Sequence, residues 1–278
     1  MPFAIDDLAA VLGHWSADEI TGLSDGDPVD TLPESIASWD MLGTTTTRPL
    51  YKPSGLSSLP SVLFDGTDDR LVVGSSKSLG AVGASFCAVI AETANKTHSM
   101  FSLDTISGLP TIGNAGQGLY CRTISGIAVD LYRRDAANSQ NLRYYTGSTG
   151  YTASPIILTG IFTRLGIAVR VNGRARCPQV GLIAPSENLK AASYYASWGN
   201  STVASSAFQG HLAELVLFGE TQLCESLYIE GVLGHKYSIA LDSSHPFYSA
   251  APTSAPGSGG GGTPTTFHPL QSRALGPR

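Results

Sequence analysis

The sequence predicts an all-β protein, built as an antiparallel sandwich of two sheets with one short helix near the C-terminal end of the domain. Three observations support this: 31 glycines are spread through the 278 residues, only 14% of the residues are charged, and short apolar runs recur between turn residues. Many short strands separated by Gly, Asn, Asp, Ser and Pro are typical of a sandwich or barrel. The hydrophobic fraction of 42% suffices for one large core, since a sandwich of roughly 200–250 residues can form one domain.

The elements are predicted in chain order from the apolar runs and the turn residues between them. Residues 1–10 are expected to form a short helical turn with Asp6 and Asp7 near its start, and residues 11–17 a strand. Further strands are predicted at 61–66, 70–74, 85–92, 99–104, 118–123, 126–134, 142–147, 156–163, 165–171 and 210–219.

Two of these segments carry more detailed predictions. Asn172-Gly173 should form a hairpin turn to a short return strand around Ala175, because both central residues of a type I′ turn need φ > 0. Strand alternation places one set of residues of 210–219 on one face and a second set on the other. The first set is Leu212, Glu214 and Val216, and the second is Ala213, Leu215 and Leu217.

The helix is predicted within residues 220–239. Leucines and other apolar residues recur there at helical spacing, and Thr221 is a plausible N-cap. A single helix after the last strand should cover part of one sheet.

The composition changes after Tyr248, so the chain divides into a domain, 1–248, a linker, 249–266, and a docking segment, 267–278. The linker is rich in Pro, Gly and Ser and is expected to be extended, because it offers no apolar side chains for a core. The docking segment carries apolar and basic anchors for a partner: Phe267, Pro269, Leu270, Arg273 and Leu275.

Several segments, in order along the chain, resemble the concanavalin A-like, laminin-G-like jelly-roll domains of bacteriophage virion proteins and bacterial surface proteins. This resemblance implies a jelly-roll sandwich. It is less specific for function, because that fold hosts lectins, glycosidases and structural modules. The matching segments are 14–32, Trp39-Asp40, 48–51, 62–71, 169–173, 208–239 and 243–248.

Charge and hydropathy exclude several partners. The net charge is −5 and no basic run stands out, so nucleic-acid binding is not expected. No apolar stretch is long enough for a bilayer and no signal sequence follows Met1, so neither a membrane nor classical secretion is expected. The four cysteines lack metal-site or redox spacing and are expected to be reduced thiols, with a disulfide as the alternative.

No catalytic constellation is predicted, and the chain is expected not to be an enzyme. Residues 22–26 match G-x-S-x-G, but Asp27-Pro28 follows where a nucleophile elbow needs a helix. Glycosidases of this fold carry closely spaced acids on one strand, and the sequence has no such motif. The acids Glu214, Glu225 and Glu230 are expected to be solvated surface carboxylates.

One turn is a candidate metal site. Asp65, Asp68 and Asp69 offer hard oxygen ligands of the kind that Ca²⁺ prefers. The alternative is plain turn chemistry, because turns select Asp and Gly for local hydrogen bonds. No other cofactor is predicted.

Two aromatic clusters are candidate sugar-stacking platforms, because aromatic faces pack against the C–H faces of pyranoses. The alternative is that these residues belong to the core or to an interface. The first cluster is Tyr194, Tyr195 and Trp198, and the second is Tyr144, Tyr145 and Tyr151.

The predicted function is that of a non-enzymatic bacteriophage virion structural protein, such as a capsid decoration, head-fibre or tail-associated subunit. It would be made in the host cytoplasm, form a homo-oligomer, dock onto capsid or tail proteins through 267–278 and display a lectin-like domain. The alternative is a lectin module for host or environmental polysaccharide, and the third possibility is a glycoside hydrolase.

Overall fold

The computed structural model describes most of the predicted domain. The described residues are 4–9, 11–79, 84–94, 98–104, 118–124, 128–134, 140–145, 154–163, 166–176, 192–199, 207–219 and 223–254. The docking segment and most of the linker lie outside these residues, so the predicted tail stays a prediction.

The regular secondary structure of the described chain is mainly β-strand. A short 3₁₀ turn, Ile5–Asp7, precedes them, and one helix, α1, follows at Leu223–Lys236. The strands are β1 (Val11–Ser16), β2 (Thr31–Leu32), β3 (Met41–Leu42), β4 (Leu50–Leu56), β5 (Leu59–Asp65), β6 (Leu71–Val73), β7 (Lys77–Leu79), β8 (Ser85–Glu92), β9 (His98–Asp104), β10 (Gly118–Ile124), β11 (Ala128–Arg134), β12 (Gln140–Tyr145), β13 (Ile156–Thr163), β14 (Gly166–Val171), β15 (Arg174–Arg176), β16 (Ala192–Trp198) and β17 (Gln209–Phe218).

The strands form two antiparallel sheets. Sheet A has the order β15-β14-β13-β8-β17-β5-β4, and β1 also pairs with β17. Sheet B has the order β12-β11-β10-β9-β16-β6-β3-β2, and β7 also pairs with β16. This confirms the predicted all-β, two-sheet sandwich of the jelly-roll type with one short helix near its C-terminal end.

Two apolar layers hold the fold together, and sheet A contributes to both. The first lies between the sheets and includes Trp15, Phe64 and Trp198. The second lies between the other face of sheet A and helix α1, where Ile229 and Leu233 pack. All eight residues of β8 are buried because each of its faces contacts one of these layers.

The predicted alternation in β17 is wrong at its N-terminal end. Leu212 faces the layer between the sheets together with Leu215, whereas Glu214 turns toward the helix. The register against β8 shifts between Leu212 and Glu214, which indicates a β-bulge at Ala213. A bulge inserts one extra residue into the strand, so the alternation changes phase at that point.

The ten strands predicted between residues 61 and 219 all occur, and so do the N-terminal turn and the first strand. The Asn172-Gly173 turn is confirmed, with φ of 50° and 77°, and Asn172 Oδ1 accepts the Ile157 N–H at 2.8 Å. Within the described ranges, no helix is both long and apolar enough to cross a membrane.

Substituting Gly173 tests how tightly the C-terminal segment packs on this hairpin. A Cβ at Gly173 would lie 2.5 Å from Cδ2 of the buried His245, at a φ of +77°. We expect Gly173→Ala to lower the free energy of unfolding by roughly 2–4 kcal/mol, because the strain of alanine at a positive φ adds to the clash of its Cβ with His245. Urea denaturation measures this loss.

Gly22→Ala is the matched control. Gly22 has nearly the same φ, +76°, but no heavy atom lies within 4 Å of its added Cβ. We therefore expect only the cost of backbone strain, which lowers the free energy of unfolding by about 1–2 kcal/mol. Equal losses in the two variants would contradict the packing of His245 against Gly173.

Candidate functional site

The three aspartates of the candidate metal turn lie together. One oxygen from each of Asp65, Asp68 and Asp69 falls within 4.8 Å of the others. Asp65 and Asp68 are exposed, whereas Asp69 is 6% exposed. Asp69 Oδ2 accepts the Asp65 N–H at 2.8 Å, and Asp65 Oδ1 accepts the Thr67 N–H at 2.7 Å.

Electrostatics in this turn disfavour a third negative charge. Burial, above all, raises the pKa of the Asp69 carboxyl to about 6. The Asp65 N–H opposes this rise, and the charges of Asp65 and Asp68 add to it. A cation would relieve the repulsion, but the hydrogen bonds also account for the turn, so the calcium site stays a prediction.

Of the first aromatic cluster, the structure describes the side chains of Tyr195 and Trp198, and neither is exposed. Trp198 is fully buried at 0% exposure, with its ring centroid 6.2 Å from that of Phe101 and 5.8 Å from that of Phe208. Tyr195 is half-buried and packs against the same core. The prediction that Trp198 stacks on a sugar is therefore wrong, because its ring is a central part of the sandwich core.

The second aromatic cluster is divided by the strand register. Tyr144 lies opposite Leu131, which lies opposite the buried Cys121, so it is on the core face of sheet B. Tyr145 is the next residue of β12 and lies on the other face. Tyr151 lies outside the described residues, as do the predicted docking residues Phe267, Pro269, Leu270, Arg273 and Leu275.

Glu214 is not a solvated surface carboxylate, contrary to the prediction. It is 2% exposed and accepts the Tyr237 hydroxyl at 2.9 Å. It also contacts His14 Nε2 at 2.7 Å and Lys236 Nζ at 2.5 Å. The other ring nitrogen of His14 lies 2.6 Å from Asp6. This network joins the N-terminal turn, β1, β17 and the end of α1.

The pKa values in this network follow from the contacts between its acidic and basic residues. Burial disfavours a charged His14, but the hydrogen bonds to Asp6 and Glu214 outweigh it and raise the pKa of His14 to about 9. Burial would also raise the pKa of Glu214, but His14 and Lys236 hold that pKa below its usual value. Both residues are therefore charged at neutral pH.

Glu230 is likewise buried, at 0% exposure, which corrects the same prediction. Its carboxylate lies 2.8 Å from Nη2 of Arg170 on β14 and 3.2 Å from Nε2 of the buried His245. The Arg170 guanidinium also donates to the carbonyl oxygen of Gly173 at 2.8 Å. The ion pair thus fixes the middle of α1 onto sheet A, close to the hairpin turn.

These contacts restrict what the acids can do chemically. Glycoside hydrolysis uses two carboxyl groups that face each other across an open cleft. Glu214 of β17 and Glu230 of α1 are buried where the helix packs on sheet A and are paired with cations, so no substrate can reach them in this structure. Among the described residues, Glu19 and Asp30 line one cavity of about 260 Å³, and Asp30 is bound by Arg48 at 2.5 Å.

Known structures resemble this chain in fold, but no sequence family matches it. No protein-family model matches the sequence, and no curated protein sequence matches it. A structure of Trypanosoma rangeli sialidase with sialic acid is similar, with a TM-score of 0.51 and 13% identity over 79% of this chain and 32% of the sialidase. The chain thus spans about a third of the length of that enzyme.

A second similar structure is a single domain. Domain 4 of AbnA, a GH43 extracellular arabinanase from Geobacillus stearothermophilus, in complex with arabinotriose, has a TM-score of 0.51 and 13% identity. The match covers 76% of this chain and 94% of that domain. At such identities these likenesses show the fold alone, a β-sandwich that also occurs within glycoside hydrolases.

The Glu214 network predicts a pH-dependent contribution to stability. The folded pKa of His14 exceeds its unfolded value, so its contribution is complete below pH 6.5 and is lost as pH rises through about 9. We expect Glu214→Gln to lower the free energy of unfolding by about 3 kcal/mol at pH 7, because the buried carboxylate charge that pairs with His14 and Lys236 is removed. The loss should shrink above pH 9, as measured by urea denaturation.

Glu225→Gln is the control for the Glu214 substitution. Glu225 lies on α1 and is only half-buried, so we expect the free energy of unfolding to change by no more than about 0.5 kcal/mol at either pH. A Glu214→Gln loss that is the same at pH 7 and pH 10 would show that His14 is not charged by this network.

The calcium prediction is tested at the aspartate turn. If Ca²⁺ binds the folded turn, millimolar Ca²⁺ should raise the melting temperature, and Asp68→Asn should abolish the rise because it removes one ligand. Asp25→Asn, which changes another exposed aspartate, is the control and should keep the rise. An unchanged melting temperature of the wild-type chain would assign the turn to backbone hydrogen bonding alone.

Proposed function

We propose that this chain is a non-catalytic glycan-binding module. The observation that carries the proposal is a difference between the outer faces of the two sheets. Helix α1 packs on the outer face of sheet A, where Glu214 of β17 and Glu230 of the helix itself are engaged in ion pairs. On the outer face of sheet B, the described residues Thr31 and Leu42 are exposed, so a ligand can reach that edge of the sheet.

The comparison with AbnA domain 4 supports the same proposal. That domain matches over nearly its whole length and was solved in complex with arabinotriose. A sandwich of this size and arrangement can therefore bind an oligosaccharide as a separate module. The sandwich fold also hosts other functions, so the proposal depends on the face of sheet B as well.

The attachment of this module to a larger assembly is proposed from the sequence alone. A Pro/Gly/Ser linker followed by apolar anchors suits a domain tethered to a larger assembly. In a virion, such a tether would attach the module to capsid or tail proteins while the sandwich faces outward.

Binding and hydrolysis are measured together on the full chain. We expect retention by at least one polysaccharide in affinity electrophoresis, with arabinan and sialylated glycans included in the panel. We expect no release of reducing ends from the retained polysaccharide, because the buried acids cannot contact it. Failure to bind any glycan would overturn the proposed function.

Variants of the acidic cavity distinguish a module from an enzyme. Glu19→Gln and Asp30→Asn alter the two acids that line that cavity. If the wild-type chain released reducing ends and either substitution abolished that release, the chain would be a hydrolase and the non-catalytic proposal would be wrong.

A further inference from the structure

A cavity of about 260 Å³ lies at the edge of sheet B that β2 forms. Cavities that enclose a drug-sized ligand measure roughly 300–1,000 Å³, so this one suits a smaller molecule, such as a single sugar ring. It is lined by residues of β2, of the 3₁₀ turn Ala17–Glu19 and of the chain between them. The lining residues are Glu19, Ile20, Thr21, Leu23, Asp30, Thr31 and Pro33.

Part of this lining is apolar and continuous with the sandwich core. Ile20 is 8% exposed and belongs to the layer between the sheets, and Leu23 packs against the same layer. Pro33 adds a third apolar side chain. Sites for small ligands combine such apolar surface with a few polar groups that fix the orientation of the ligand. The C–H groups of a sugar ring can pack against this apolar part.

The polar part of the lining offers acceptors for hydroxyl groups. Glu19 and Asp30 contribute carboxylates, and Thr21 and Thr31 carry hydroxyls. Arg48 Nη1 lies 2.5 Å from Asp30 Oδ1 and orients that carboxylate, while the Asp30 side chain stays 72% exposed. Hydrogen bonds from hydroxyl groups to a carboxylate are roughly twice as strong as those between neutral groups. Sugar hydroxyls are therefore suitable donors for this cavity.

Backbone hydrogen bonds fix the loop on one side of the cavity. The Gly26 N–H donates to the carbonyl oxygen of Tyr51 at 2.9 Å, and the Tyr51 N–H donates to that of Asp27 at 2.8 Å. The Val29 N–H donates to the carbonyl oxygen of Pro49 at 2.8 Å. These bonds attach the loop to β4 and the residues before it. A loop that is already fixed loses little conformational entropy when a ligand binds.

The charges at the cavity indicate which sugars fit. Arg48 neutralises Asp30, whereas Glu19 forms no ion pair with any residue that the structure describes. One negative charge therefore remains on the lining. A carboxylate or sulfate group of an acidic sugar would lie beside Glu19, and such a like-charge contact disfavours binding. A sugar without an acidic group avoids this repulsion.

We propose that this cavity binds one terminal, non-acidic sugar unit of a polysaccharide. The inference rests on the proposed glycan-binding function and assigns its site and its class of sugar. Glu19 and Asp30 accept hydrogen bonds from the hydroxyl groups of that unit, and the apolar lining packs against its ring. The rest of the polysaccharide extends from the cavity toward solvent.

The test uses the full chain in affinity electrophoresis with a neutral and an acidic probe. The neutral probe is a polysaccharide that the wild-type chain retains, with arabinan tried first, and the acidic probe is polysialic acid. We expect retention by the neutral probe only. Glu19→Ala should weaken that retention at least about fivefold, because a charged acceptor is lost. Thr31→Trp should weaken it as much, because the indole fills the cavity.

Two variants outside the cavity are the matched controls. Asp25→Ala removes a carboxylate whose side chain is 66% exposed and which is not part of the lining. Thr45→Trp places an indole at an exposed threonine that is also outside the lining. Both should bind as the wild type does. Thermal denaturation of each variant separates loss of the site from loss of the fold, and if Thr31→Trp melts early, Glu19→Ala decides.

The outcomes separate the site from the function. Retention of the neutral probe that survives Glu19→Ala and Thr31→Trp in folded proteins would overturn this site but leave the glycan-binding proposal intact. Equal losses in Glu19→Ala and Asp25→Ala would also overturn the site. Retention of polysialic acid alone by the wild-type chain would overturn the assigned class of sugar. No binding to any glycan would overturn both proposals.

Discussion

The burial of sheet A on both faces is the constraint on which the rest of this structure depends. Strand β8, Ser85–Glu92, is buried along its whole length. An antiparallel sheet can leave one face in water, but a strand that is apolar on both sides cannot. Sheet A therefore needs a second cover besides sheet B, and helix α1 supplies it.

That cover determines the role of the acidic residues. Because α1 must lie at one position on sheet A, charged contacts between them can fix its register: Glu230 pairs with Arg170, and Lys236 pairs with Glu214. Buried ion pairs add little net stability compared with apolar contacts, but breaking one is strongly destabilising. These carboxylates thus hold the helix, and the β-bulge that turns Glu214 toward it is part of the same arrangement.

Sequence patterns predicted those parts of the fold that depend on local chemistry. The apolar run of β8, the Asn172-Gly173 turn and the helix after the last strand all follow from local periodicity or turn geometry. The bulge at Ala213 depends on pairing with β8, which no local pattern shows. Strand β16 was missed for a similar reason: its aromatic residues suggested a surface cluster, whereas Trp198 fills the centre of the core.

The tyrosines of sheet B show the same limit of local sequence patterns. Tyr120 and Tyr132 are twelve residues apart in the sequence, and only the antiparallel register of β10 and β11 makes them neighbours. The tyrosines that are adjacent in the sequence, such as Tyr144 and Tyr145, alternate between the two faces of sheet B and cannot act together. Which aromatic residues share a face of a sheet therefore depends on strand pairing, which the sequence alone does not show.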